Sequence, residues 1–300
     1  MSRAAALLMA LSSAALLTAQ APAKLQPLLD ADLATFPGRA GIWVKHLTTG
    51  EEAGVRADET FNSASVIKIP VLMLAYQMAE KGILSLEQRM TITAGDVRGG
   101  SGIFRYHDAG LQPTLRDVLM QMVITSDNTA TDLAITKVGG VPRVNVWLKE
   151  NGYGESMRLT QTTGELFAKY ATLPPGADRN DKTNTDRAYW LGEMTPRATG
   201  RMLAAIHDNS LTSKKSSDEI IRFMRAQQAG ARRLPHFVTV PIGHKTGDFA
   251  PVLANDVGIA FTRSGPVVIS FFTNAITGSY GEAEDRMGRI AARIVEYFER

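Results

Sequence analysis

The sequence predicts an α/β sheet domain combined with an inserted all-α domain. Segments of strand composition occur near both ends of the chain, at 41–47, 52–57, 239–245, 256–262 and 267–273. Between them, apolar residues recur at spacings of three and four, which is the helical period. We therefore expect a mostly antiparallel five-stranded sheet, built from both chain ends and flanked by helices, with a helical domain inserted.

The helical period places eight helices along the chain. They are predicted at 24–36, 66–81, 114–124, 128–138, 142–150, 196–208, 218–228 and 282–299, with the one at 66–81 opening the insert. The segment 159–194 is the least regular part of the chain. The predicted sheet domain takes 24–62 and 209–300, the helical domain takes 63–208, and the active site is expected at their interface. Segment 172–187, rich in Pro, Asp, Asn and Thr, is predicted to be a long surface loop, either functional or a tolerated insertion.

Composition excludes several classes of function. The 300 residues are 44% hydrophobic and 21% charged, as in ordinary globular proteins. The net charge is +3 and the basic residues are scattered, so nucleic acid is not an expected partner. The chain has no cysteine, which excludes disulfides, a thiol nucleophile and a cysteine zinc site. The five histidines lack metal-ligand spacing, and we expect no metal or cofactor.

Residues 1–23 have the order of a secretory signal peptide. Arg3 is followed by an apolar run at 4–17 and then by small residues, with cleavage expected near Ala19 or Ala23. The run is too short to span a bilayer comfortably. We expect a periplasmic or secreted monomer without a membrane contact after cleavage, the alternative being an uncleaved anchor.

A serine and a lysine, Ser65 and Lys68, stand one helical turn apart in "FNSASVIKIP". If a helix begins at Val66, Ser65 is its N-cap and Lys68 lies on the same face. A serine is a weak nucleophile until a base takes its proton. Burial and a second cation would both lower the pKa of Lys68 and allow it to be that base. The alternative is a lysine that faces solvent.

Two further motifs carry hydroxyl, amide and ammonium groups. Ser126-Asp127-Asn128 is followed directly by a helical run, so a plain helix cap is one interpretation. A proton transfer by Ser126 and an amide contact from Asn128 to a substrate carbonyl is the other.

The third motif is Lys245-Thr246-Gly247. A phosphate loop is excluded because His244, not glycine, precedes the lysine. We predict an edge strand that ends at the motif, with Lys245 pointing into the cleft and Gly247 letting substrate lie against the backbone. The nearby run 99–102, "GGSG", lacks the second spaced glycine of a nucleophile elbow.

In this order, the three motifs resemble the signature of class A β-lactamases and penicillin-binding proteins. The 61 residues from Ser65 to Ser126 match class A enzymes, while the 119 residues from Ser126 to Lys245 indicate an insertion. Segments 113–140 and 244–261 resemble the corresponding family stretches. The resemblance implies the β-lactamase/transpeptidase fold.

The resemblance also implies residue roles. Ser65 would be acylated, Lys68 would activate it directly or through a water, Ser126 would pass a proton to the β-lactam nitrogen, and Asn128 would hold a substrate side-chain carbonyl. Lys245 would attract the substrate carboxylate.

In the same way, Thr246 would assist Lys245, and Gly247 would complete the motif. The backbone N–H groups of Ser65 and Asp248 would form the oxyanion hole.

Two departures from the family concern acidic residues. The Glu-x-x-Leu-Asn pattern that supplies the deacylating base is absent; Glu165 is the nearest carboxylate and Glu193 the alternative. Asp248 lies where an anionic substrate would bind, and Arg286 is a candidate to offset its charge. The first hypothesis is an exported class A-type serine hydrolase that opens β-lactams through an acyl-enzyme.

Two alternatives remain open at this stage. One is a D-Ala-D-Ala peptidase or an esterase-like serine hydrolase with slow deacylation, because a missing base would stop the reaction after acylation. The substrate would then be a D-Ala-D-Ala-like peptide rather than a β-lactam. The other is a non-catalytic peptidoglycan-binding module, which would have no need of all three motifs.

Overall fold

The computed structural model describes residues 24–300, and the predicted signal peptide lies outside the described residues. Within that range, none of the helices combines the length and the apolar character needed to cross a membrane.

A five-stranded antiparallel sheet is built from both ends of the chain, which confirms the predicted fold class. Its strands are β1 (Arg39–His46), β2 (Glu52–Val55), β6 (Ile242–Phe249), β7 (Leu253–Thr262) and β8 (Gly265–Asn274). Their order is β2-β1-β8-β7-β6, so β6 lies at an edge. The central strands are buried along nearly their whole length, because helices cover both faces of the sheet.

Helices from the chain termini cover one face. They are α1 (Leu25–Ala34) and α10 (Tyr280–Glu299), which form one apolar cluster with β1 and β8. The other face is covered by α8 (Pro196–His207) and α9 (Lys214–Arg225). The predicted division assigns α8 to the helical domain, but this helix packs against β1 and β8.

The helical part lies between β2 and α8. It contains α2 (Lys68–Glu80), α3 (Leu115–Ile124), α4 (Asn128–Lys137), α5 (Gly140–Glu150), α6 (Thr163–Ala171) and α7 (Arg179–Thr185). A small sheet of β3 (Phe61–Asn62), β5 (Gly192–Met194) and β4 (Met157–Leu159) joins it to the larger sheet domain. The helix starts follow capping rules: Thr114 and Thr162 each form a capping box, and Asp127 caps α4.

Three local predictions are wrong. Ser65 is not the N-cap of α2, because a 3₁₀ turn, Ala64–Ile67, precedes that helix. The segment predicted as loop contains α7, whose first N–H groups are capped by the Asp178 carboxylate. The edge strand does not end at Lys245 but continues to Phe249, because β7 pairs with it along that whole length.

The contact between α8 and the sheet depends on a glycine. A Cβ atom at Gly200 would overlap with Cε3 of the fully buried Trp43. We expect Gly200→Ala to lower the free energy of unfolding by about 1–3 kcal/mol in urea denaturation, since overpacking outweighs the better helix propensity of alanine. Gly95→Ala, at a position without a close neighbour, is the control and should change stability by less than about 0.5 kcal/mol. Equal stability of the two variants would contradict this packing.

Candidate active site

Ser65 lies in the 3₁₀ turn that leads into α2. The preceding residue, Ala64, has a φ of +41°, a conformation rare outside glycine. Asn62 Oδ1 accepts a hydrogen bond from Ala64 N at 3.1 Å, and Asn255 Nδ2 donates to the carbonyls of Asn62 and Ser63 at 2.8 and 3.2 Å. These bonds fix the strained turn from both sides, so the half-buried Ser65 is held at its surface.

Lys68 is fully buried at the start of α2. Its Nζ donates to Ser126 O at 2.7 Å, to Asn128 Oδ1 at 3.0 Å and to Ser126 Oγ at 3.2 Å. These three bonds match the three N–H groups of a charged lysine. Among residues 24–300, Ser65 Oγ has no hydrogen-bond partner, so the structure places Lys68 against the second motif rather than against Ser65.

The second motif combines a helix cap with a strained serine. Ser126 has a φ of +54°, and Ser101 Oγ donates to its carbonyl at 2.8 Å. Asp127 caps α4 through Ala130 N at 2.8 Å. Each interpretation of this motif therefore holds for a different residue. Asp127 is the helix cap, and the Ser126 hydroxyl contacts Lys68 and, as described next, Lys245.

Lys245 completes the cluster from the edge strand β6. Its Nζ donates to Ser126 Oγ at 3.0 Å and to Thr246 O at 2.7 Å, and the side chain is fully buried. The Ser126 hydroxyl thus lies between two lysines, 3.2 Å from Lys68 Nζ and 3.0 Å from Lys245 Nζ. When one lysine is neutral, the hydroxyl can donate to it and accept from the other, which makes a continuous path for a proton.

Burial makes the neutral forms of both lysines accessible. It lowers the pKa of Lys68 well below its usual range, and the charge of Lys245 lowers it further. Burial also lowers the pKa of Lys245, to about 7, despite the opposing effect of the Asp248 carboxylate. Burial and a second cation, the two conditions for a neutral Lys68, are therefore both met.

Close approach of β6 to the serine turn requires Gly247. A Cβ atom there would lie 2.6 Å from Ser63 O and 3.0 Å from Ser65 N. Any larger residue would push the strand away from the backbone N–H that is predicted to form half of the oxyanion hole. The oxyanion role of Ser65 and Asp248 stays a prediction.

A cleft of about 270 Å³ opens over the serine. We call it the serine cleft; its lining residues include Ser65, Asn128 and Asp248 from the motifs and their neighbours, together with residues that sequence reasoning missed, namely Gly100, Ser101, Thr163, Leu166, Phe167, Leu191 and Phe249. The signal for two of them, Gly100 and Ser101, was the "GGSG" run, in which Gly100 has a φ of +80°. The remaining lining residues are ordinary apolar and polar residues without a sequence signal.

Neither predicted deacylation base lines the serine cleft. The exposed Glu165 turns back to its own helix, where Oε2 accepts from Thr162 N at 2.8 Å. Glu193 lies on β5 and pairs with Arg187 at 3.2 Å. Asp248 is the one carboxylate among the residues that line the cleft within the described range.

Asp248 has a cationic partner that the sequence did not identify. Arg233 Nη1 lies 3.1 Å from Asp248 Oδ1, and the Arg233 side chain is only 4% exposed. Arg286, the candidate from the sequence, instead donates to Thr35 and to the Asp32 carbonyl, between α10 and α1. Arg233 was missed because its contact with Asp248 depends on the path of the loop before β6.

A buried carboxylate holds α6 over the serine cleft. Asp132 Oδ1 accepts from Thr163 N and Oγ1, each at 2.7 Å, and Oδ2 accepts from Gly164 N at 2.9 Å and Arg98 Nε at 2.8 Å. Because Asp132 belongs to α4, directly after the second motif, it fixes α6 relative to Asn128. The cleft wall formed by α6 is therefore tied to the helix that carries Asn128.

Comparison with known proteins agrees with this geometry. The model of the beta-lactamase enzyme family matches residues 23–298. The chain belongs to the beta-lactamase enzyme family. It is a hydrolase of the serine beta-lactamase type, and the resemblance inferred from the three motifs is confirmed at the level of the family.

Named relatives and solved structures extend over most of the chain. Beta-lactamase L2 of Stenotrophomonas maltophilia is 27% identical over 268 residues, which cover 86% of this chain and 82% of that protein. The crystal structure of a beta-lactamase from Sphaerobacter thermophilus is 26% identical with a TM-score of 0.76, covering 91% of this chain and 95% of that one. PBP-A, at 21% identity and a TM-score of 0.77, covers 92% and 97% and shares the fold.

The Asp132 contacts predict a stability effect in this family member. Asp132→Asn replaces an acceptor oxygen by an N–H group that faces other donors, so we expect the free energy of unfolding to fall by about 2 kcal/mol. Urea denaturation followed by circular dichroism measures it. The exposed Asp208→Asn is the matched control and should change stability by less than about 0.5 kcal/mol. An unchanged midpoint for Asp132→Asn would show that α6 is held by other contacts.

Proposed function

We propose that the protein is an exported active-site-serine hydrolase in which β-lactams acylate Ser65 and the acyl-enzyme is hydrolysed slowly. The observation that carries the proposal is the buried chain from Lys68 through the Ser126 hydroxyl to Lys245, with hydrogen bonds of 3.2 and 3.0 Å, directly behind the serine turn. A binding module without catalysis has no use for two buried lysines of lowered pKa.

The proposed acylation step uses only groups of this cluster. Ser65 Oγ attacks the β-lactam carbonyl carbon, and its proton passes to neutral Lys68, directly or through a water. The ring C–N bond breaks, and the nitrogen takes a proton from Ser126, whose hydroxyl regains one from Lys68. One proton has then moved from Ser65 to the ring nitrogen, and Lys68 is neutral again. Asn128 would hold the substrate side-chain carbonyl.

Hydrolysis of the acyl-enzyme needs a base for the attacking water. The placement of Glu165 and Glu193 outside the serine cleft supports slow hydrolysis, because neither carboxylate is then in place to take a proton from a water in the cleft. This observation favours the second candidate, a D-Ala-D-Ala peptidase or esterase-like enzyme. A mutant of the structural neighbour PBP-A was solved as an acyl-enzyme complex with penicillin G, which supports the same chemistry for this fold.

Export and the class of partner are proposed from the sequence. The order of residues 1–23 supports a cleaved signal peptide and a periplasmic or secreted monomer. A β-lactam or a D-Ala-D-Ala-like peptide is the proposed small-molecule substrate, and the acylation step requires no metal or cofactor.

A chromogenic cephalosporin tests acylation and hydrolysis together. We expect a rapid burst of one equivalent of coloured product per enzyme molecule, and a stable covalent adduct in the intact mass. The reason is that Ser65 is acylated faster than the acyl-enzyme is hydrolysed. Ser65→Ala should lower the rate constant of the burst by more than about 10³-fold. The exposed Ser264→Ala is the matched control and should retain it.

The same assay discriminates the alternatives. Fast steady turnover would contradict slow hydrolysis, and an adduct that persists in Ser65→Ala would contradict the nucleophile. Glu165→Gln and Glu193→Gln should leave the lifetime of the adduct within about twofold, because neither side chain lines the cleft. A longer lifetime in one of them would identify that residue as the base.

The lysine pKa values predict a bell-shaped pH profile of acylation by an anionic cephalosporin. The rate constant should rise as Lys68 loses its proton, at a pH well below the usual range of lysine, and fall as Lys245 loses its charge at a pH of about 7. With an uncharged acyl donor the falling limb should be absent, since no substrate anion then depends on Lys245. A rate that still rises above pH 9 with both donors would mean that Lys68 has an ordinary pKa.

A further inference from the structure

The carboxylate of Asp248 is part of the wall of the serine cleft. The residue follows the Lys245 motif on β6, and its side chain is 45% exposed. Arg233 holds Oδ1 at 3.1 Å, and no other hydrogen bond to this carboxylate occurs among residues 24–300. Asp248 therefore presents a negative charge at the end of the cleft where Lys245 would attract a substrate carboxylate.

Arg233 is not available to bind a substrate anion. Its guanidinium donates to Asp248 at 3.1 Å and to the Asn255 carbonyl at 3.0 Å through Nη1, to Glu284 at 2.8 Å through Nε, and to Tyr280 Oη at 3.0 Å through Nη2. Four of its five N–H groups are therefore engaged. The side chain is buried and does not line the serine cleft.

Arg233 and the two carboxylates that contact it carry one more negative charge than positive charge. One guanidinium, Arg233, faces two carboxylates, Asp248 and Glu284, and both bonds are short enough to be ion pairs. The two lysines beside the Ser126 hydroxyl, Lys68 and Lys245, offset this excess only in part, because burial lowers the pKa of both. The pKa of Lys245 is about 7, which leaves a large fraction of it neutral at neutral pH. An anion at this place would meet more negative than positive charge.

We propose that Asp248 is a specificity-determining residue that disfavours acyl donors with a carboxylate at the Lys245 end of the serine cleft. The preferred donors carry an uncharged ester or amide group there. This inference rests on the proposed function, because it assumes that Ser65 is acylated. At an effective dielectric constant of about 20–40, two like charges about 5 Å apart weaken binding by more than roughly tenfold.

The charge of Asp248 also acts on the two lysines, so a single rate is not a sufficient readout. Its carboxylate raises the pKa of Lys68 and of Lys245, and removing it would change acylation of every substrate. The ratio between two donors that differ only in the carboxylate cancels the effect through Lys68, which both donors share. The effect through Lys245 acts on the acid alone: without Asp248 the pKa of Lys245 falls, its charge is lost more readily, and the acid is attracted less. A shift of the ratio toward the acid therefore reports the loss of repulsion.

The test compares a chromogenic cephalosporin with the same compound whose ring carboxylate is blocked as the methyl ester. The second-order rate constant of acylation is measured for both with the wild type, Asp248→Asn and Asp248→Glu. Wild type should react at least as fast with the ester as with the acid. Asp248→Asn should shift the acid-to-ester ratio about tenfold or more toward the acid, and Asp248→Glu, which keeps the charge, should leave it within about threefold of wild type.

The outcomes separate this inference from the proposed function. If neither compound acylates the wild type, the proposed function fails, and this inference fails with it. If both acylate but Asp248→Asn keeps the wild-type ratio, only the role of Asp248 is overturned. If Asp248→Asn does not fold, the two rate constants of the wild type decide. An acid that acylates the wild type more than about tenfold faster than its ester overturns the proposed role of Asp248. An ester that acylates it at least as fast as the acid supports that role.

Discussion

The site depends on two lysines that are buried against one hydroxyl group. Moving an ammonium group out of water is costly unless it is hydrogen-bonded, and two like charges close together add to that cost. Lys68 and Lys245 meet this constraint through oxygen acceptors, above all the carbonyl and hydroxyl of Ser126. Ser126, which supplies these acceptors, has a φ of +54°, so the surrounding structure must hold a strained residue in place.

Both parts of the molecule contribute to that support. The helical part supplies the cap of Asp127 on α4 and the hydrogen bond from Ser101 to the Ser126 carbonyl. The sheet part supplies Lys245 on the edge strand and the amide of Asn255, which fixes the serine turn. The nucleophile therefore lies where the two parts meet, and neither part contains a complete site.

The acidic residues around the serine cleft have different roles, because they contact different partners. Asp132 is enclosed by donors and ties α6 to α4, so its role is structural. Glu165 is the carboxylate nearest in sequence to the expected general base, but its Oε2 accepts hydrogen bonds from the backbone N–H and the hydroxyl of Thr162, the N-cap of α6. Asp248 keeps one oxygen on Arg233 and still lines the cleft, so it affects any ligand that binds there.

The sequence by itself determined the fold class, most helix and strand positions and the three motifs, because hydrophobic period, caps and short motifs are local properties. It did not determine the 3₁₀ turn at Ser65 or the continuation of β6 past Lys245, since both depend on pairing with distant segments. It also missed Arg233, which lies 15 residues before Asp248 in sequence and reaches it only through the fold. Which carboxylates face the cleft was decided by tertiary structure alone, because the direction of a side chain follows from the packing of α6, β5 and β6 around it.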